Sequence, residues 1–183
     1  MKIYKIKNIW SYIDKVDAIA FTSNGFVKSN GCAVMGRGIA LDTKNKFENV
    51  DKLLGNHIKK NGNIVGIIKQ IGRRTDLVSF PVKRDEYDIE LDKYDNFPGF
   101  ARVDLEMKFK GHTVYPGWAL KAEVDIIKYS GKDLMEIIEF KKWKSVLLTP
   151  PGIKNGGLSW KDEVEPELEQ IFDERVKIVY KGE

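Results

Sequence analysis

The sequence predicts a three-layer α/β/α domain with a central mixed sheet of about six strands. Two observations lead there: short apolar strand segments alternate with stretches of helical periodicity, and two of those strands run directly into glycine-rich loops that open helices. At 183 residues the chain suits one domain covering 1–183, large enough to bury a core without disulfides or metals.

The elements follow in order. Lys2 to Lys7 alternates apolar and polar residues, and Asp17-Ala18-Ile19-Ala20-Phe21-Thr22 is an apolar run that reads as a buried strand. From Arg37 the residues Ile39, Phe47, Val50, Leu54 and Ile58 recur at helical spacing until Asn61-Gly62 stops the pattern. Asn63 to Ile71 and Asp76 to Val82 form a predicted hairpin around Gly72-Arg73-Arg74-Thr75. Between Arg84 and Pro116 lies an acidic, aromatic stretch too long for an ordinary connection. Its 85–116 segment reads as a lid-like insertion or a small β excursion that includes Glu106 to Val114.

Ala119 to Phe140 places Leu120, Val124, Ile127, Leu134, Ile137 and Ile138 largely on one helical face, with Ser130-Gly131 able to bend or split it. Ser145 to Thr149 is the next buried strand, and Val176 to Tyr180 closes the sheet. In the segment between them, Ser159 and Asp162 have the spacing of a capping box and Pro166 suits a first helical turn.

Composition narrows the function. Hydrophobic residues make up 42% and charged residues 32%, and 31 basic against 27 acidic residues leave a net charge of +4. That field suits a small anion better than a long polyanion. Lys141-Lys142-Trp143-Lys144 is the densest basic patch and reads first as a solvated helix end. With no apolar run of membrane length, no signal-peptide pattern and a single cysteine, the expectation is a cytoplasmic monomer without membrane contact.

The chemistry lies in the two loops. Gly31-Cys32-Ala33-Val34-Met35-Gly36-Arg37-Gly38-Ile39 is nearly free of bulky side chains and opens a helix, so its N–H groups can converge on a phosphate; a tight strand-to-helix turn is the competing reading. It is neither a Walker loop, since Ile39 follows Gly38, nor a dinucleotide fingerprint, since Leu41 stands where a small residue is needed. The second loop, Pro150-Pro151-Gly152-Ile153-Lys154-Asn155-Gly156-Gly157, has the same setting. Two such loops on one crevice favour a bipartite phosphate site, as a diphosphate requires. Cys32 lacks a base in view, since neither His57 nor His112 is tied to it, and two histidines are too few to suggest a metal.

Asp17 to Asn24, Val34 to Leu41, Phe80-Pro81-Val82-Lys83-Arg84 and Asn155 to Trp160 together resemble a macro domain. The likeness is to the branch holding the antitoxin of the DNA-ADP-ribosylating toxin–antitoxin pair, the human terminal ADP-ribose glycohydrolase and similar phage proteins. It covers most of the chain except 85–116. The resemblance implies ADP-ribose or an ADP-ribosylated molecule as ligand, with nucleic acid a partner only where it carries that modification, and no further cofactor. It implies hydrolysis of an ADP-ribose derivative, either removal of ADP-ribose from a macromolecule or of phosphate from ADP-ribose 1″-phosphate. A non-catalytic ADP-ribose or NAD-metabolite binding module is the alternative.

By the same resemblance, Val34 to Ile39 and Gly152 to Gly157 cradle the phosphates, and Asn24, with Asn30 as rival, lies by the distal ribose. Lys83 falls on the catalytic lysine, able to act as a nucleophile at the anomeric carbon or as a cation at the leaving group. Two departures stand out. Where typical members have a Gly-Asp pair after the first strand, this chain has Lys7-Asn8, which leaves base recognition to Asn8 or to backbone groups. The second loop has Gly152-Ile153-Lys154 where a Gly-Cys-Gly is usual, and lacks the acid that the human relative uses there.

Overall fold

In the computed structural model, which describes residues 1–93 and 95–182, the chain forms a six-stranded sheet between two helical layers, with a small strand pair beside it. In chain order the elements are β1 (Lys2–Ile6), β2 (Ala18–Asn24), α1 (Gly38–Lys46), α2 (Val50–Asn61), β3 (Gly66–Ile71) and β4 (Thr75–Lys83). There follow β5 (Glu86–Asp88), α3 (Val103–Lys108), β6 (Val114–Pro116), α4 (Val124–Lys141), β7 (Val146–Leu148), α5 (Glu165–Glu169) and β8 (Val176–Lys181). The order across the sheet is β1-β8-β7-β2-β4-β3; every pairing is parallel except that of β3 with β4.

Strand alternation sorts the core into two halves. On one face Ala18 and Ala20 of β2, Val78 and Phe80 of β4, and Val146 and Leu148 of β7 pack against Ile127, Leu134 and Ile138 of α4 and Leu168 of α5. On the other, Ile19 and Phe21, Leu77, and Leu147 meet Ala40 of α1 and Val50 and Leu54 of α2. Each fully buried large side chain contributes about 1.5–3 kcal/mol relative to exposure, so these two faces hold the sheet in place.

Three expectations from the sequence change in detail. The periodic run from Arg37 to Asn61 is two helices, because Asn49 takes a left-handed backbone (φ 60) and turns the chain between them. The helix expected from Ala119 begins at Val124, since Ala119 closes the 3-10 turn Gly117–Ala119 and the chain after it runs out to pair elsewhere: Lys121 N–H donates to Gly99 O (2.8 Å) and Ala122 N–H to Gly156 O (2.8 Å). It does not split at Ser130-Gly131. Those small residues let it lie close, with Ser130 Oγ donating to Pro81 O of β4 (2.7 Å) and Gly131 packed on Leu168 and Ile171.

The 85–116 stretch is not mainly β. It holds the short pair β5 and β6, the helix α3 where a strand was expected, and an aromatic cluster of Tyr87, Phe97, Phe100, Phe109 and Tyr115. Arg84 ties this stretch down: its guanidinium donates two hydrogen bonds to Glu123 (2.9 and 2.6 Å) and lies over the Tyr87 ring.

β2 and β7 are neighbours, yet the chain leaves β2 toward α1 and α2 on one face and β7 toward α5 on the other. Such a divergence opens a crevice beyond the carboxyl ends of parallel strands, where open α/β sheets take ligands.

Candidate functional site

A cleft of about 960 Å³ occupies that crevice. From the first loop Val34, Gly36, Arg37, Gly38 and Ile39 line it; from the second, Pro150, Gly152, Ile153, Lys154, Asn155 and Gly156. Asn8, Asn24 and Lys83 line it too. The adjacency of β2 and β7 brings the two loops to one place.

The first loop is built in two halves. Its beginning is folded down on α2: Ala33 N–H donates to Asp51 O (2.9 Å), Lys52 Nζ to Asn30 O (2.9 Å), and a Cβ on Gly55 of α2 would stand 2.1 Å from Gly31 O. Gly31, Cys32, Ala33 and Met35 therefore lie outside the cleft wall, as does Asn30, whose side chain accepts from Cys32 N–H (3.1 Å). Its second half faces the cleft. Nothing stands within 4 Å of where a Gly36 Cβ would be, Gly38 has φ +55, and no side chain caps α1, which leaves the first helical N–H groups open to a ligand.

Asn24 pins this half to the sheet. Its Nδ2 donates to Val34 O (3.0 Å) while its Oδ1 accepts from Phe26 N–H (3.0 Å).

The second loop takes left-handed backbone at Gly152 (φ +75), Lys154 (φ 54) and Gly157 (φ +79). Gly152 also needs its bare Cα because a Cβ would meet Ile127 at 2.7 Å. Pro151 and Gly157 shape the loop from outside the cleft wall. The Asn155 side chain reaches across to Gly38, its Nδ2 being 3.6 Å from the position of a Gly38 Cβ, so the two loops nearly touch.

Lys83 ends β4 beside Asn24 in register and is 8% exposed. Its Nζ donates to Leu120 O (2.6 Å), Asn155 O (3.1 Å) and Trp118 O (3.4 Å), joining the second loop to the chain returning from the 85–116 stretch. Burial lowers its pKa from 10.5 to about 8. A desolvated amine of this kind gives up its proton more readily than an exposed lysine, while the three carbonyls engage all of its N–H groups in the ammonium form.

Other wall residues escaped the sequence reading: Lys28, Asp42, Arg102, Leu105 and Tyr180; Trp118, which the sequence offers as a ring able to stack on a base or ribose or else to pack in the core, also lines the cleft. Arg102, Leu105 and Trp118 come from the stretch around α3, whose contribution depends on how it folds back and left no motif. Asp42 is the one carboxylate among the described lining residues, against Lys7, Lys28, Arg37, Lys83, Arg102, Lys154 and Lys181. Among the described residues no group of three or more His, Cys, Asp and Glu side chains is placed to hold a metal, and no helix is long and apolar enough to cross a membrane.

A parallel-sheet crevice bounded by two glycine loops, one opening an uncapped helix, and lined by seven basic side chains against one carboxylate among the described residues defines the class, an α/β domain with a basic cleft at the carboxyl ends of its strands. Comparison with solved structures makes this more particular. The macrodomain of Mycobacterium tuberculosis DarG superposes with a TM-score of 0.68 at 19% identity, covering 100% of this chain and 99% of that one. The macrodomain of Thermus aquaticus DarG gives 0.64 at 20%, again over 100% and 99%. Thermosipho africanus DarTG in complex with ADP-ribose gives 0.61 at 16%, over 90% of this chain and 38% of that one. No family model matches the sequence, and no curated protein matches it. The chain has the macrodomain fold, as the resemblance in its four segments implied.

Proposed function

We propose that the cleft binds ADP-ribose, its diphosphate between Gly36–Ile39 and Gly152–Gly156, and hydrolyses an ADP-ribose derivative at the anomeric carbon of the distal ribose. The observation that carries this reading is the convergence of both glycine loops and the buried Lys83 amine on one cleft. A similar fold, Thermosipho africanus DarTG, is in complex with ADP-ribose, which supports the same ligand here.

In the proposed reaction the neutral Lys83 amine attacks C1″. The C1″–Nζ bond forms as the bond to the leaving group breaks, and the leaving group departs with that electron pair and takes up a proton. Water then adds to C1″, the C1″–Nζ bond breaks, and the amine is restored. Asn24 keeps Val34 and the phosphate-facing half of the first loop in position against the sheet, and its bonded neighbour strand carries Lys83 to the same end of the cleft.

Incubation with ADP-ribosylated DNA, ADP-ribosylated protein and ADP-ribose 1″-phosphate tests the activity, with product expected from at least one. Lys83→Ala is expected to abolish release while ADP-ribose still binds. Tight ADP-ribose binding without turnover of any of the three overturns the hydrolase reading and leaves a binding module, a reading favoured by the occupation of all three Lys83 N–H groups by carbonyls.

A further inference from the structure

The order of the strands fixes which end of the cleft is which. Lys83 ends β4 and Lys7 follows β1, four strand spacings apart, or about 19 Å at the usual interstrand distance, with the two glycine loops between them at β7 and β2. Given the reading proposed above, on which this inference rests, the reacting ribose lies by Lys83, the diphosphate by the loops, and the adenosine at the β1 end.

The positive charge of the wall exceeds what that ligand uses. Of the seven cations, Lys83 is held by three carbonyls, Arg102 is paired with Asp104, and Lys28 lies in the field of Asp51. Lys7, Arg37, Lys154 and Lys181 make no ion pair among the described residues. Arg37 and Lys154 belong to the glycine loops and on this reading serve the diphosphate. Lys7 and Lys181 stand instead at the carboxyl ends of the adjacent strands β1 and β8, where Lys181 is in register with Ile6. Adenosine is uncharged, so ADP-ribose leaves these two ammoniums without a counter-charge.

The rest of that end has the same character. Lys7-Asn8 stands where macro domains usually have Gly-Asp, so a cation is gained and an acid lost at one place. The Asn8 amide can donate through Nδ2. Burial, and then the charge of Glu165 outside the wall, raise the Tyr180 pKa, so its hydroxyl stays a donor as well. Asp42 on α1 is the one described carboxylate of the whole wall.

A phosphate monoester carries about −1.5 to −2 charges at neutral pH and three acceptor oxygens, a match for two ammoniums flanked by neutral donors. We propose that Lys7 and Lys181 form a third phosphate subsite at the β1 end of the cleft. The preferred ligand is then an ADP-ribose phosphorylated on its adenosine ribose, at the 2′ or the 3′ hydroxyl.

Calorimetric titration of the whole protein with ADP-ribose, ADP-ribose 2′-phosphate and ADP-ribose 3′-phosphate tests this. At low salt at least one phosphorylated form is expected to bind about tenfold more tightly than ADP-ribose, as two ion pairs at a wet site provide, and the tighter isomer identifies the position. The margin is expected to shrink as added salt screens those pairs. Lys7→Gln combined with Lys181→Gln is expected to abolish the margin, whereas Lys28→Gln, which removes a wall cation elsewhere, keeps it. The inference is overturned if neither phosphorylated form outbinds ADP-ribose, if the margin survives the double substitution, or if Lys28→Gln lowers it as much. ADP-ribose binding with any of these results leaves the proposed function standing and removes only this inference. Binding of none of the three overturns both.

Discussion

The two glycine loops have similar sequences and opposite supports. The first is bolted to the rigid part of the molecule, to α2 through Gly31 and Ala33 and to β2 through Asn24. The second is tied by Lys83 and by Gly156 O to residues 118–122, where the chain returns from the 85–116 stretch. A ligand between them touches one wall fixed by the core and one wall fixed by the catalytic candidate itself. Damage to the first wall should therefore appear in stability and affinity together, and damage to the second should appear in turnover.

The largest effect expected is at Lys83. Lys83→Met keeps the side-chain length, leaves three carbonyls unpaired and removes the amine; turnover should fall at least about 10³-fold in a single-turnover assay, as when a nucleophile is deleted. The same pair of proteins gives a pH test. With the folded pKa at about 8 and the ordinary value at 10.5, the unfolded chain binds more protons than the folded one between those values. Wild-type stability should accordingly rise with pH across pH 8 to 10.5 relative to Lys83→Met, the cost of the buried ammonium being fully present below 8 and relieved above 10.5. Denaturant melts at several pH values read this directly, and kcat/KM should rise through pH 8 if the neutral amine attacks.

Next is Gly55→Ala, whose methyl group has no room under Gly31 O; a loss of about 2–3 kcal/mol is expected in urea melts, with affinity lowered as the first loop shifts. Asn24→Ala should cost about 1–2 kcal/mol by leaving Val34 O and Phe26 N–H without their partner, and should weaken ADP-ribose binding measurably. Asn30→Ala is the smallest. Its one side-chain bond stays within its own loop, outside the cleft, so stability should change by less than about 0.5 kcal/mol and affinity not at all. A strong affinity loss there would break the division of the first loop into a buried and a ligand-facing half.

The layers and the loops were legible because apolar alternation and glycine placement are local properties of the chain. Asn24 and Lys83 were nameable because they end apolar strands inside recognisable segments. What was not legible depended on contacts far apart in sequence. Nothing local announces that β2 and β7 lie side by side, that Gly31 to Ala33 turn inward to α2, or that Trp118 and Arg102 fold back to the cleft. The same holds for Lys83, whose three acceptors are 35, 37 and 72 residues away. The break at Asn49 did have a local signal, an asparagine able to take left-handed backbone before an apolar helix start, but the periodicity on both sides concealed it.

The central claim is that the first loop's open half holds the phosphates of ADP-ribose. Gly36 tests it most directly, because a side chain there meets no protein atom and projects into free space. Calorimetric titration of wild type and Gly36→Val with ADP-ribose should show one-to-one binding by the first and none by the second, while both unfold at the same temperature. Wild type that does not bind, or Gly36→Val that binds equally well, would contradict it.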